Sequence, residues 1–348
     1  MKFTIGELKV ENYCLAVAMA ACFTVAAVSP ALAQERFALI VEGAPGEAKY
    51  AEQHAAWRDK LAAVLGDIYK VPRQQLIVLT GSTAAEPPAP AAGQASTRPA
   101  FQPDGVATAD AVRAALTRLG GSMRAGDIAL IVLIGHGTFD GDAAKFNLVG
   151  PDLAADDWKA LVQKLPGEVV FVNTASSSSP FLSSLAGSGR IIITATAMPA
   201  QRFHTVFAEY FIEGLAESDA DIDRNGRRSV YEAFAYASRR VRQHYEQRGQ
   251  LATERAMIED DGDGRGREAG AEGNDGQRAS LAYLDADRAA IVTDPALLRL
   301  MQRRDTLLAE IEELKKRRLM MPPLEYDALL ETLLIDLALV SRDIRART

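Results

Sequence analysis

Two small-residue turns carry the side chains best suited to chemistry. His136 closes the apolar run 128–135 and is followed by Gly137, while Ser176 follows the run 169–174 inside Ala175-Ser176-Ser177-Ser178. A histidine and a hydroxyl at the ends of two apolar segments make the minimal set for acyl transfer: a base, a nucleophile, and backbone N–H groups to hold an oxyanion. A thiol would be the stronger nucleophile at neutral pH, yet the chain has only two cysteines, Cys14 and Cys22. Both lie in the uncharged apolar stretch 14–33, which ends in Ala31-Leu32-Ala33. That stretch reads as a signal-peptide core and cleavage site, so the expected mature chain starts at Gln34, is periplasmic or secreted, and has no cysteine. The alternative is an uncleaved N-terminal membrane anchor, since the stretch is about long enough to span a bilayer.

A second chemical signal is Asp221-Ile222-Asp223-Arg224-Asn225-Gly226, continuing through Arg227 and Ser229 to Glu232. It fits the calcium loop D-x-D-x-N-G-x5-E. Asp221, Asp223 and Asn225 would each offer one oxygen, Arg227 its backbone carbonyl, Ser229 a direct or water-mediated contact, and Glu232 both carboxylate oxygens. Gly226 supplies the sharp turn, and apolar helical patterns at 206–215 and 230–245 enter and leave the loop. A hydrophobic residue usually fills the position held by Arg228. A second acidic run, 259–264, resembles the first half of such a loop but has Gly270 at the twelfth position, and is read as a solvated turn. Ca2+ is the only cofactor expected.

These residues need a frame. Strands are expected at 37–43, 75–81, 128–137, 169–175 and 190–196, apolar on both faces as buried parallel strands are. Helices alternate with them. Tyr50, Trp57, Leu61, Val64 and Ile68 share one face, Val112, Leu116 and Leu119 a second, and Trp158, Leu161, Val162 and Leu165 a third. The fold class is therefore α/β, a mainly parallel sheet covered by helices. His54, His204 and His244 fall on helical patterns and read as ordinary surface or packed histidines.

Segment 82–105 is rich in Ala, Pro and Ser and reads as a flexible insertion within a domain spanning 34–258. An acidic, Gly-rich loop follows at 259–290, and residues 291–348 form a helical hairpin. Leu297, Leu300, Leu307, Ile311 and Leu314 make one seam of that hairpin, and Leu330, Leu333, Leu337, Val340 and Ile344 the other, with Pro322-Pro323 between. It either packs on its own domain or joins copies through residues 295–345. The 348 residues are 48% hydrophobic and carry a formal net charge of −7, which gives no electrostatic footprint for nucleic acid.

The runs 131–137 and 147–153 resemble the histidine strand of the legumain (asparaginyl endopeptidase) branch of the caspase-like cysteine peptidases. The runs 169–178 and 190–196 resemble its nucleophile strand and the specificity strand after it. The resemblance covers residues 36–258 and lacks the hairpin. It implies a caspase-like three-layer fold, a dyad at His136 and Ser176, and substrate contacts at Gly137, Ala175, Thr194 and Thr196, with Gly137 leaving room for a substrate backbone. The family's cysteine falls on Ser176. Its asparagine near the first strand has no counterpart in Glu42-Gly43-Ala44-Pro45, so no group orienting His136 is identified. Three readings follow: an inactive pseudopeptidase that binds a peptide or protein partner, a serine-type hydrolase, or a calcium-dependent structural module assembled by the hairpin.

Overall fold

The structure is a computed structural model that describes residues 34–82, 101–285, 295–345 and 347. Residues 14–33, read as an export signal, and positions 83–100 of the Ala- and Pro-rich segment lie outside the described residues. Among the described residues no helix is long and apolar enough to cross a membrane.

The apolar runs become strands because each buries side chains on both faces. In chain order the elements are β1 (Arg36–Glu42), α1 (Ala48–Asp67), β2 (Leu76–Thr80), β3 (Gly105–Val106), α2 (Ala109–Ser122) and β4 (Ile128–Ile134). Next come β5 (Gly137–Phe139), β6 (Ala144–Phe146), β7 (Leu153–Ala154), α3 (Ala155–Val162), β8 (Glu168–Asn173), α4 (Pro180–Leu185) and β9 (Arg190–Thr194). The chain continues through α5 (Phe207–Ala216), α6 (Val230–Gln247), β10 (Met257–Glu259), α7 (Gln277–Leu281), α8 (Pro295–Lys316) and α9 (Pro323–Arg345).

The main sheet runs β10-β9-β8-β4-β1-β2-β3. Its strands are parallel except β10, which joins β9 antiparallel, an edge the sequence pattern did not show. Alternation assigns the two faces. Ala38, Ile40, Leu130 and Val132 pack with α1, α5 and α6, whereas Phe37, Leu39, Val41, Ile131 and Phe171 pack with α2, α3 and α4. This is the three-layer α/β architecture expected from the sequence. Each buried Leu, Ile or Phe in those layers contributes about 1.5–3 kcal/mol. Trp158 is enclosed between Phe146 and Phe171, which fixes α3 to the sheet.

Local departures have clear causes. Ile68 lies past the end of α1 and is 40% exposed, because the helix stops one residue before it could join the apolar face. Within the segment read as an insertion, Asp104 accepts from the Val78 N–H, and Gly105 pairs with Leu79 as the start of β3. The hairpin forms as expected: Leu297, Leu307, Ile311, Leu314 and Ile344 are buried, and the chain breaks at Pro322-Pro323. Arg304 of α8 reaches the Asn225 carbonyl at 3.5 Å, so the hairpin touches the first acidic loop.

Candidate functional site

Leu133 of β4 and Asn173 of β8 are register partners. His136 and Ser176 each lie three residues beyond them, past the strand ends; Ser176 was expected there, whereas His136 was expected inside a strand running to 137. They therefore leave the sheet side by side at its carboxyl edge. The order of strands reverses between β1 and β4, where open α/β sheets place their sites.

Ser176 is 4% exposed. Its hydroxyl donates to the Gly137 carbonyl at 3.0 Å and accepts from the Gly137 N–H at 3.3 Å. The hydroxyl is thus committed to backbone rather than to His136, and it occupies an N–H that an oxyanion would need. Gly137 is required here for a reason the sequence did not reveal: a Cβ would stand 2.3 Å from the Ser176 carbonyl oxygen. On that side of Gly137 the space is taken by the serine turn. Ser177 follows with a left-handed backbone, φ 54°, held by its N–H to the Gln201 carbonyl at 2.8 Å.

The other residues expected to contact substrate brace this turn. Ala175 is enclosed in the sheet core, its N–H held by Asn173 Oδ1 at 3.0 Å. Thr196 Oγ1 accepts from the N–H groups of Ser178 and Ser179 at 2.9 and 3.2 Å. Thr194 Oγ1 donates to the Thr196 carbonyl at 3.0 Å. Both threonines are fully buried, so they position the serine turn instead of lining an open cleft.

Burial holds the His136 pKa below the ordinary histidine value, with the Pro45 backbone and the Glu47 charge, from the segment after β1, acting the other way.

The imidazole has two further companions. His54 of α1 and His204, which stands in the loop before α5 rather than on a helix, bring ring nitrogens within 4.8 Å of those of His136. His54 is 0% exposed, and neither nitrogen of His54 or His204 has a hydrogen-bond partner. Burial pushes His54 down to about 3 and His204 down to about 4, with the neighbouring His136 ring adding to both effects. His54 and His204 are therefore neutral at neutral pH. Tyr50 packs edge-on to His136 at 4.8 Å, and Trp57 stacks on His204 at 5.8 Å. One signal for this cluster was legible: His54 shares the buried stripe of α1 with Trp57 and Leu61. His244 is an ordinary packed histidine, its Nδ1 bonded to the Tyr210 hydroxyl at 2.8 Å.

At the first acidic loop, Asp221, Asp223 and Glu232 bring carboxylate oxygens within 4.8 Å of one another. The loop folds around them. Asp221 accepts from the N–H groups of Asn225 and Gly226 at 2.9 and 2.8 Å, and Asn225 Oδ1 accepts from Arg227 at 2.7 Å. Glu232 Oε1 accepts from Ile222 and Asp223, and its Oε2 takes the Ser229 N–H and hydroxyl, which also caps α6. Burial, then the Glu232 charge, pushes Asp223 up to about 6. Crowded like charges of this kind are relieved by a bound cation, so the residues fit calcium. The Arg227 side chain turns away to Asp285 and Tyr283, leaving its backbone in the loop. Arg228, at the position usually hydrophobic, donates to the Leu215 carbonyl at 3.0 Å.

The chain matches no protein-family model and no curated protein sequence. Among solved structures it is similar to a protein from Geobacter sulfurreducens, with TM-score 0.38 and 13% identity over 65% of this chain and 92% of that one. It is also similar to the Drosophila initiator caspase Dronc, with TM-score 0.42 and 11% identity over 67% of this chain and 81% of that one. Caspase-1 from Spodoptera frugiperda gives TM-score 0.41 and 10% identity, covering 69% of this chain and 93% of that one.

Proposed function

We propose that this is an exported legumain- or caspase-like protein without peptidase turnover, which binds a peptide or protein partner and is stabilised by calcium at the loop from Asp221 to Glu232. The observation that carries the inactive reading is the pair of bonds tying the Ser176 hydroxyl to Gly137. A weak nucleophile needs its base at hydrogen-bond distance, and here the hydroxyl proton goes to a carbonyl instead. Both cysteines lie in the expected signal, so a cysteine mechanism has no thiol in the mature chain.

The second reading, a serine hydrolase, is favoured by one observation: the register of β4 with β8 brings His136 and Ser176 out of the sheet from neighbouring strands. Rotation of Ser176 about its Cα–Cβ bond would then be the step that creates a dyad. A fluorophosphonate probe separates the two. The inactive reading expects no labelling of the purified protein and no peptide turnover. Steady turnover abolished by both Ser176→Ala and His136→Ala overturns it. Self-association through residues 295–345 belongs to the same proposal, supported by Leu334, Ile335 and Leu339 of α9, which stand about half exposed. Ile335→Asp in the full chain is expected to lower the solution mass to that of one copy.

A further inference from the structure

We propose that residues 259–275 form a second cation loop, closed by Asp275 instead of a twelfth-position glutamate, that takes calcium. The spacing puts Gly270 where the closing carboxylate belongs, so the sequence alone argues against a site. Folding repairs the gap from five residues further on.

The two loops correspond position by position. Glu259 stands where Asp221 does, accepting from the N–H of the sixth residue, Gly264, at 3.1 Å, as Asp221 accepts from Gly226 at 2.8 Å. Asp263 stands where Asn225 does, accepting from Arg265 at 2.6 Å as Asn225 accepts from Arg227 at 2.7 Å. The fourth and sixth residues have positive φ in both loops: Arg224 and Gly226 at 55° and 81°, Gly262 and Gly264 at 88° and 77°. In the first loop Glu232 takes the N–H groups of the second and third residues, Ile222 and Asp223. In the second, Asp275 takes that of the second residue, Asp260, at 3.0 Å.

An unsatisfied buried group points to the missing ligand. Glu259 is 0% exposed, yet its Oε2 has no hydrogen-bond partner, and Glu259, Asp261 and Asp263 bring carboxylate oxygens within 4.8 Å of one another. Asp275 has a side chain 1% exposed, and its Oδ2 lies 3.4 Å from Arg267 Nε without a hydrogen bond. The Glu259 oxygen, buried without a partner, is costly unless a cation meets it, whereas the Asp275 Oδ2 faces Arg267. The donors are all hard oxygen, which selects calcium over zinc or copper. Arg267 is the only cation the ion-pair geometry places against Asp275 among the described residues, and Asp261 and Asp263 reach solvent, so an ion has a route in.

Calorimetric titration of the purified protein with calcium tests this. Two ions per chain are expected. Glu232→Gln should abolish one, and Asp275→Asn the other; Asp261→Asn, at an exposed position that folding tolerates, should weaken that second ion at least ten-fold. One ion, lost in Glu232→Gln and unchanged in both other variants, overturns the second loop and leaves the first. One ion that survives Glu232→Gln but not Asp275→Asn overturns the first and leaves the second. No binding at millimolar calcium overturns both.

A different observation, the orphaned imidazoles, carries a second inference. The geometry points to a transition-metal site of the zinc class formed by His54, His136 and His204. Three rings converge, and both nitrogens of His54 and both of His204 are buried without a hydrogen-bond partner. One nitrogen from each ring lies within 4.8 Å of the other two; Zn–N bonds of about 2.0–2.1 Å would set that spacing at roughly 3.3 Å. Occupancy would engage the nitrogen of His136 that a dyad needs as base.

Cobalt(II) is the probe. Addition to the purified protein is expected to give intense visible bands that equimolar zinc bleaches. His54→Gln and His204→Asn should abolish the bands, and His244→Asn should leave them. Because His54 is buried, the partly exposed His204 is the deciding variant, with its melting curve as the check on folding. Absence of bands in the wild type, or unchanged bands in His204→Asn, overturns the site.

Discussion

The Ser176 hydroxyl and the Gly137 backbone are bonded in both directions, donor to carbonyl at 3.0 Å and N–H to oxygen at 3.3 Å. The same two residues approach so closely that a Cβ on Gly137 meets the Ser176 carbonyl at 2.3 Å. Gly137→Ala must therefore push β5 away from the serine turn. The expected cost is about 1–3 kcal/mol, as for other overpacked sites, and a denaturant midpoint unchanged from wild type would refute the close approach.

Ser176→Cys probes the frame from the other side. The thiol is larger and hydrogen-bonds weakly, so its hold on Gly137 loosens and it becomes free to meet His136. The expected outcome is labelling by iodoacetamide at neutral pH, diminished in Ser176→Cys/His136→Ala. Equal labelling with and without His136 would show that the two side chains do not communicate.

Arg58 and Glu42 form a buried ion pair behind the end of β1, shared with Thr80 Oγ1 at 3.0 Å from Arg58 and 3.0 Å from Glu42. Removing only the cation leaves a buried carboxylate uncompensated. Arg58→Met is expected to cost about 3–5 kcal/mol, and Arg58→Met/Glu42→Gln to recover most of it. The check is urea unfolding of both variants; a double variant no better than the single one contradicts the pairing.

Glu254 is 3% exposed and takes the Val206 N–H at 2.9 Å, at the start of α5. Burial raises its carboxyl from 4.5 to about 7. Between those values the folded chain keeps a proton that the unfolded chain releases, so this stability is fully present below pH 4.5 and is lost as pH rises through 7. Glu254→Gln keeps the acceptor and removes the titration. Unfolding free energies of wild type and variant, measured from pH 4.5 to 8, should diverge by on the order of 2–3 kcal/mol in favour of the variant, and parallel curves would exclude the raised carboxyl.

Calcium should protect the chain through Glu232. Chelator is expected to lower the melting temperature of the wild type and to leave that of Glu232→Gln much less affected, the residual shift reporting the loop closed by Asp275. Identical shifts in the two proteins would remove the first loop from the account.

Features that depend on neighbours in the chain were legible in the residues alone. The doubly apolar runs became β1, β2, β4, β8 and β9, since period and burial are local properties of a strand. The hairpin seams and the spacing from Asp221 to Glu232 were readable for the same reason. The folded chain alone decided what lies across from what. Register between β4 and β8 set His136 beside Ser176, and the close approach of Gly137 to the Ser176 carbonyl fixed that position as glycine. Thr194 and Thr196 look available in sequence, and packing turned their hydroxyls inward, that of Thr196 to the serine turn and that of Thr194 to the Thr196 carbonyl. Asp275 lies outside the loop spacing that motif reading inspects, and His54, His136 and His204 come from three separate elements. Such groups meet only where helices and strand ends converge, because side-chain placement there is set by the packing of distant segments and not by the period of any one of them.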